Sequence, residues 1–233
     1  MELPELDESA FRPIMNHLNK KHIQMLRSKT FGIIRIPSTA PGISKHSYQD
    51  PELYHLLMKF ALLFVNIPFT TVQISASSVD KESKIKHSKG PCYTVAFGQY
   101  TGGELVLKNS ADVDVEYNIH RRPMVFDPTS TEHYAKEFKG KRWTMVYYTL
   151  AEPLKFPCTV KLSDFDPVVV DGVWSIAWRR EGRTTVYLNK KNGLPQSIKS
   201  KKSAPIEEPD ESDPNLSGPQ NLMILARKRI PPP

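Results

Sequence analysis

At 233 residues the chain is long enough to bury a core of about 150 residues and still carry a further small module or tail. Hydrophobic residues make up 39%, which suits a globular protein, and prolines crowding toward the C-terminus predict a loose end. The net charge of +7 favours contact with polyanions without requiring it. No apolar run approaches the ~18 residues of a membrane span, and the acidic start "MELPELDESAF" lacks the apolar stretch of a secretory signal. Cys92 and Cys158 stand in no zinc spacing, so neither a disulfide framework nor a thiolate metal site is suggested. These features together predict an intracellular chain with no membrane partner, in nucleus or cytoplasm.

Taken in chain order, Ile14, Leu18, Met25 and Leu26 share one helical face between Pro13 and Arg27. "FGIIRI", from Phe31, reads as a strand. The next helix, "QDPELYHLLMKFALLFV", begins at Asp50, placed to cap it, with Pro51 at the first helical position and Glu52 favouring the N-terminal dipole. From there the pattern turns to β. "FTTVQISAS", "CYTVAFG", "GELVLK", "VDVEYNI", "PMVFD" and "RWTMVYYTL" are short, rich in β-branched and aromatic residues, and punctuated by Gly, Pro, Asp or Asn. Strands preceded by helices predict a barrel or jelly roll with helical buttresses. After Pro157, "GVWSIAWRREGRTTVYLNKKNGLP" predicts two or three strands around turns at Glu181-Gly182 and Asn192-Gly193. The expected organisation is a helical segment over 1–29, the main domain over 30–156, a small β appendage over 157–195 and a disordered, Pro- and charge-rich tail over 196–233.

Two segments carry candidate chemistry. In "EHYAKEFKGKRWTMVYYTL", Arg142 follows His133 by nine residues. A guanidinium fork matches a carboxylate bidentately, and a neutral imidazole suits Fe(II). This stretch resembles the distal half of a 2-oxoglutarate/Fe(II) dioxygenase. "GPCYTVAFGQYTGGELVL" resembles a segment of the form G-P-S-x-x-x-x-x-G-x-Y-T-G-G-x-L in fungal and protist relatives of the thymine and methylcytosine hydroxylases that modify DNA. "FTTVQISAS" and "FGIIRI" resemble further segments of these proteins, so the resemblance covers roughly residues 30–150.

The resemblance implies a mainly β fold with some α: a double-stranded β-helix, or jelly roll, flanked by N-terminal helices. It implies Fe(II) and 2-oxoglutarate as cofactors, with His133 on the iron and Arg142 on the far carboxylate of 2-oxoglutarate, and Tyr93 as a further cofactor-binding position. The family's H-x-D ligand pair, however, falls on Ser83 and Ile85, counting back seven residues from Gly90. A facial triad needs two His and a carboxylate, so both upstream ligands read as replaced. A shifted pair, His87 with Asp80 or Glu82, is the alternative. Gly102 and Gly103 read as a turn joining barrel strands, where φ > 0 costs glycine little.

Two functional readings follow. The first is a degenerate oxygenase-like protein that binds 2-oxoglutarate, another dicarboxylate or a macromolecular partner without oxidising it. The second is an active dioxygenase that hydroxylates a nucleic-acid base or another substrate through a rearranged metal site. Trp174, Tyr187 and Asn189 have nearly the spacing of a WW domain, which would place a Pro-rich peptide or protein partner on residues 168–195. The competing reading is a hairpin that packs Trp174 and Trp178 on the barrel. "KSKKSAP" and "ARKR" suit nuclear targeting or contact with nucleic-acid phosphates.

Overall fold

The computed structural model describes residues 1–20, 28–34, 42–76, 88–151, 162–170, 172–180, 183–188 and 196–199. The chain is mainly β, with antiparallel sheets and a few N-terminal helices. α1 spans Arg12–Lys20; Met25 and Leu26, expected to prolong its apolar face, lie outside the described residues. β1 (Lys29–Ile34) and β2 (Gly42–Ile43) precede the short α2 (Lys45–Gln49). α3 (Pro51–Phe64) starts as expected, with the Asp50 side chain accepting from the Leu53 amide and Pro51 in the first turn. No helix among the described residues is long and apolar enough to cross a membrane.

All six β segments read in the main domain form strands. They are β3 (Thr71–Ser75), β4 (Cys92–Gly102), β5 (Leu105–Lys108), β6 (Asp114–Tyr117), β7 (Met124–Phe126) and β9 (Phe138–Tyr148). β8 (His133–Ala135) is an additional strand that the sequence pattern does not announce. One six-stranded sheet runs β2-β1-β3-β9-β4-β7, and a three-stranded sheet runs β6-β5-β8. β9 therefore closes the last segment of the domain between two earlier ones.

Two faces of the six-stranded sheet meet different surroundings. On one face Phe31, Ile74, Tyr93, Val95, Phe97, Trp143, Met145 and Tyr147 form a core with Phe11, Ile14 and Leu18 and with one side of α3. α3 buries Leu53, Tyr54, Leu57, Phe60 and Ala61, the spacing of a single helical stripe. Phe11 stacks on Phe97 at 5.0 Å, and the Tyr147 hydroxyl donates to the Leu57 carbonyl at 2.9 Å. On the other face a smaller apolar group, Ala96, Leu105, Leu107, Ile119 and Met124, joins the two sheets.

Residues 1–6 run along β7, the edge of the larger sheet. Leu3 donates to the Pro123 carbonyl at 2.8 Å, Leu6 to that of Arg121 at 2.7 Å, and Val125 to that of Met1 at 2.9 Å. Glu5 pairs with Arg121 at 2.6 Å and Arg122 at 2.9 Å. An exposed strand edge is thereby covered.

The C-terminal part forms its own four-stranded sheet, β10 (Phe165–Val170), β11 (Val173–Arg180), β12 (Arg183–Leu188) and β13 (Gln196–Lys199). β13 occupies the first residues assigned to a loose tail. Register with β12, from Leu188↔Gln196 to Thr185↔Lys199, satisfies its backbone whatever its composition. Phe165 and Ile176 belong to the helix-side core, and the Trp174 ring lies 4.8 Å from that of His55 on α3. Trp178 falls on β11, while Asn189, Asn192 and Gly193 lie outside the described residues.

α1 and α3 are tied by a buried polar contact. His17 Nε2 lies 3.0 and 3.2 Å from the two Asp50 carboxylate oxygens, and its Nδ1 lies 3.4 Å from the half-exposed Glu52. Asp50 therefore serves both as helix cap and as partner of a buried imidazole. Asp50→Ala is expected to lower unfolding free energy by about 3 kcal/mol, from a lost cap and a stranded buried partner. Glu52→Ala should cost less than about 1 kcal/mol. Urea denaturation of the two variants checks the contrast; equal losses would show that the buried contact does not matter.

Candidate functional site

β4 and β9 pair over ten residues, from Tyr93↔Tyr147 to Gly102↔Phe138. Directly opposed residues share a face, so this register assigns every side chain on both strands. Tyr93, Val95 and Phe97 with Trp143, Met145 and Tyr147 face the helices. Thr94, Ala96, Gly98 and Tyr100 with Arg142, Thr144 and Val146 face the other way, toward the three-stranded sheet. β3 adds Gln73 opposite Val146 and Ser75 opposite Thr144. The inner face thus mixes apolar side chains with hydroxyls, an amide and a guanidinium, whereas the helix-side face is apolar.

Arg142 stands opposite Gly98 and is only 5% exposed. Its guanidinium lies 5.5 Å from the Tyr100 ring and 5.4 Å from the Phe138 ring, within cation–π range of both. One terminal nitrogen donates to the Gly103 carbonyl at 3.2 Å. The Tyr100 hydroxyl is also hydrogen-bonded to the guanidinium, whereas among the described residues the buried Nε has no hydrogen-bond partner and no ion pair involves Arg142. A guanidinium carries five N–H donors and keeps its charge, so burying it without a carboxylate is costly. Two residues further along the same face, about 7 Å on, the Thr144 hydroxyl is likewise buried and unpartnered.

His133 opens β8 opposite Leu107, which turns it toward the same interior. Its Nδ1 lies 2.9 Å from the Thr131 carbonyl. A carbonyl only accepts, so Nδ1 carries the proton and, in the neutral ring, Nε2 is the acceptor nitrogen. The Phe126 ring meets its edge at 5.1 Å. His133 and Arg142 therefore both face the space between the two sheets.

Tyr93 is placed elsewhere. It packs on the helix-side face, 6.0 Å from the Tyr147 ring, with its buried hydroxyl unpartnered and its pKa driven up by burial. The strict two-residue alternation of a strand puts it on the opposite side of the sheet from Arg142. Asp80, Glu82, Ser83, Ile85 and His87 all lie outside the described residues. His120 sits behind Tyr100, its ring 4.7 Å away and its Nε2 3.1 Å from the Gly98 carbonyl, and burial lowers its pKa. No three metal-capable side chains gather among the described residues. His133 does not by itself fit an iron centre needing a facial triad. A carboxylate, by contrast, suits Arg142 directly.

Tyr100, Phe138 and Thr144 are parts of the site that the motif reading did not single out. Alternation from Arg142 puts Thr144 on the same face without any structure; the aromatic pair needs the β4–β9 register.

With this geometry in hand, comparison with solved structures shows partial likeness to 2-oxoglutarate/Fe(II) oxygenases. NgTET1 in complex with 5mC DNA matches with a TM-score of 0.46 and 12% identity, covering 64% of this chain and 71% of that one. A 2OG-Fe(II) oxygenase family oxidoreductase from Burkholderia pseudomallei matches with a TM-score of 0.44 and 11% identity, over 64% and 82% of the two chains. A Pseudomonas putida prolyl-4-hydroxylase matches at 0.40 and 9%, over 64% and 90%. No family model and no curated protein matches the sequence. At these scores the likeness carries no argument about chemistry.

Cys92 lies on the inner face opposite Phe126, and burial pushes its thiol up to about 12. The thiolate is therefore scarce at pH 8. In a Cys158→Ser variant, Cys92 is expected to resist a thiol-disulfide reagent at pH 8 in the folded protein and to react fully in denaturant. Rapid reaction of the folded protein would mean that the inner face opens to solvent.

Proposed function

We propose that this chain is a degenerate 2-oxoglutarate/Fe(II) oxygenase-like protein, a double-stranded β-helix whose inner face binds a small dicarboxylate such as 2-oxoglutarate rather than oxidising a substrate. Support for the architecture comes from the strand order, in which β9 lies between β3 and β4 while β6-β5-β8 makes the facing layer. The observation that carries the binding reading is Arg142: buried, flanked by two aromatic rings, and with an Nε that no described residue partners. A ligand carboxylate accepting from the guanidinium fork would supply the missing countercharge. The unpartnered Thr144 hydroxyl, next along the same face, offers the ligand a further polar contact.

A second reading, an active dioxygenase with His133 as an iron ligand, is favoured by the proton on Nδ1, which leaves Nε2 as the metal-binding type of nitrogen. It requires the remaining ligands from His87 and a carboxylate such as Asp80 or Glu82. A nucleic-acid substrate or partner is supported by the net charge of +7 alone.

Calorimetric titration of metal-free full-length protein with 2-oxoglutarate tests the first reading. Saturable binding is expected, weakened about 10- to 100-fold in Arg142→Ala, the worth of charge-assisted hydrogen bonds. Absence of binding, or binding unchanged in the variant, would overturn it. Arg142→Met should meanwhile raise the melting temperature of the ligand-free protein, because it removes a buried charge that has no countercharge among the described residues. Anaerobic addition of Fe(II) with 2-oxoglutarate separates the second reading: a visible charge-transfer band would establish a working metal site.

A further inference from the structure

The turn after β4 has consecutive glycines, Gly102 at φ +75° and Gly103 at φ +76°. Both angles lie in the left-handed region, so a side chain at either position meets the same kind of backbone strain. Their surroundings differ. A Cβ at Gly102 would lie 2.8 Å from the Glu137 carbonyl, with no atom of Arg142 among its nearest neighbours. A Cβ at Gly103 would lie 3.2 Å from Arg142 Nε, 3.3 Å from Arg142 Cδ and 3.0 Å from Phe138 Cβ. The Gly103 carbonyl also accepts the hydrogen bond from Arg142. A single glycine thus meets the guanidinium twice, through a carbonyl that holds it and through an absent side chain that leaves it room.

We propose that Gly103 is a positioning residue for the carboxylate-binding guanidinium of Arg142, setting it between Tyr100 and Phe138 at the depth the ligand requires. The need for glycine here then has two causes. The turn demands a left-handed backbone, which Asn also tolerates, and Arg142 demands the space a Cβ would fill, which no other residue leaves. This assignment rests on the reading of Arg142 as the carboxylate anchor, and it adds that the turn rather than the strand alone sets the anchor's position.

The test compares Gly103→Asn with Gly102→Asn, because Asn adopts positive φ more readily than other side-chain-bearing residues. Both variants place the same side chain on nearly the same backbone angle, and Gly102→Asn also drives its Cβ against the Glu137 carbonyl, so it should be at least as destabilising as Gly103→Asn and weaker binding confined to Gly103→Asn would not come from lost stability. Calorimetry with 2-oxoglutarate should show Gly103→Asn weakened at least about tenfold beyond Gly102→Asn, as expected when an anchoring group is misplaced. In ¹⁵N NMR the Arg142 Nε–H resonance, identified by its loss in Arg142→Lys, should move in Gly103→Asn and stay in place in Gly102→Asn. Equal affinities and an unmoved resonance would overturn the proposal. If the wild-type protein binds no 2-oxoglutarate, the carboxylate reading fails and takes the ligand-positioning role with it; the Nε resonance would still decide whether Gly103 places the side chain. If Gly103→Asn does not fold, the same resonance is read in Phe138→Leu, which loosens the other wall against Arg142; an unmoved signal there counts against positioning by this turn.

Discussion

The ten-residue antiparallel pairing of β4 with β9 is the constraint on which the rest of the molecule depends. Its register hands alternate residues to two environments only a sheet's thickness apart. On one side the alternation delivers Tyr93, Phe97, Trp143 and Tyr147 to the helices; on the other it delivers Thr94, Arg142 and Thr144 to the interior shared with the smaller sheet. A slip of one residue would exchange the two sets, placing a guanidinium in the aromatic core. The size of that core opposes the slip, since each large apolar side chain contributes roughly 1.5–3 kcal/mol when fully buried.

This division explains how a charged group can be buried in the domain. The helix-side core, with Phe11 stacked on Phe97 and Tyr147 donating to Leu57, supplies the bulk of the apolar burial. The inner face has less to contribute: its apolar cluster is small, and among the described residues Arg142 Nε and the Thr144 hydroxyl find no partner. Such atoms are few in native folds, where nearly every buried polar group finds a partner, and apolar side chains of similar size would be at least as stable there. The two rings beside Arg142 ease its desolvation, and the Tyr100 hydroxyl is hydrogen-bonded to the guanidinium, but neither residue supplies the countercharge of a carboxylate.

The periphery serves the same sheet. Residues 1–6 cover the edge at β7, and Glu5 bridges Arg121 and Arg122, beside the left-handed Arg121 at φ 58°. At the other end, Phe165 and Ile176 join the four-stranded C-terminal sheet to the helix-side core, with Trp174 against His55. The tryptophan that suggested a peptide-binding module thus has a ring partner on α3. The β10–β13 sheet meets α2 and α3 through β10 and β11.

Local chemistry alone determined the helix at Asp50, because cap, proline and apolar stripe act within one turn of one another, and it determined the main-domain strands, because period-two alternation and turn residues are local signals. The spacing of His133 and Arg142, with the Y-T-G-G segment, also singled out two residues that the fold sets on facing strands of two sheets, β8 and β9. Tertiary structure decided what no local signal contains. Tyr93 lies an odd number of positions from its site-facing neighbours, so register sent it to the helices. β8 has three residues, too few to show a period, and forms because β5 offers it partners. Gly103 reads as a turn glycine and is one, but that Arg142 packs against the place of its missing side chain follows from two residues 39 positions apart being folded together. Contacts between residues distant in sequence are set by pairing and packing, and composition records neither.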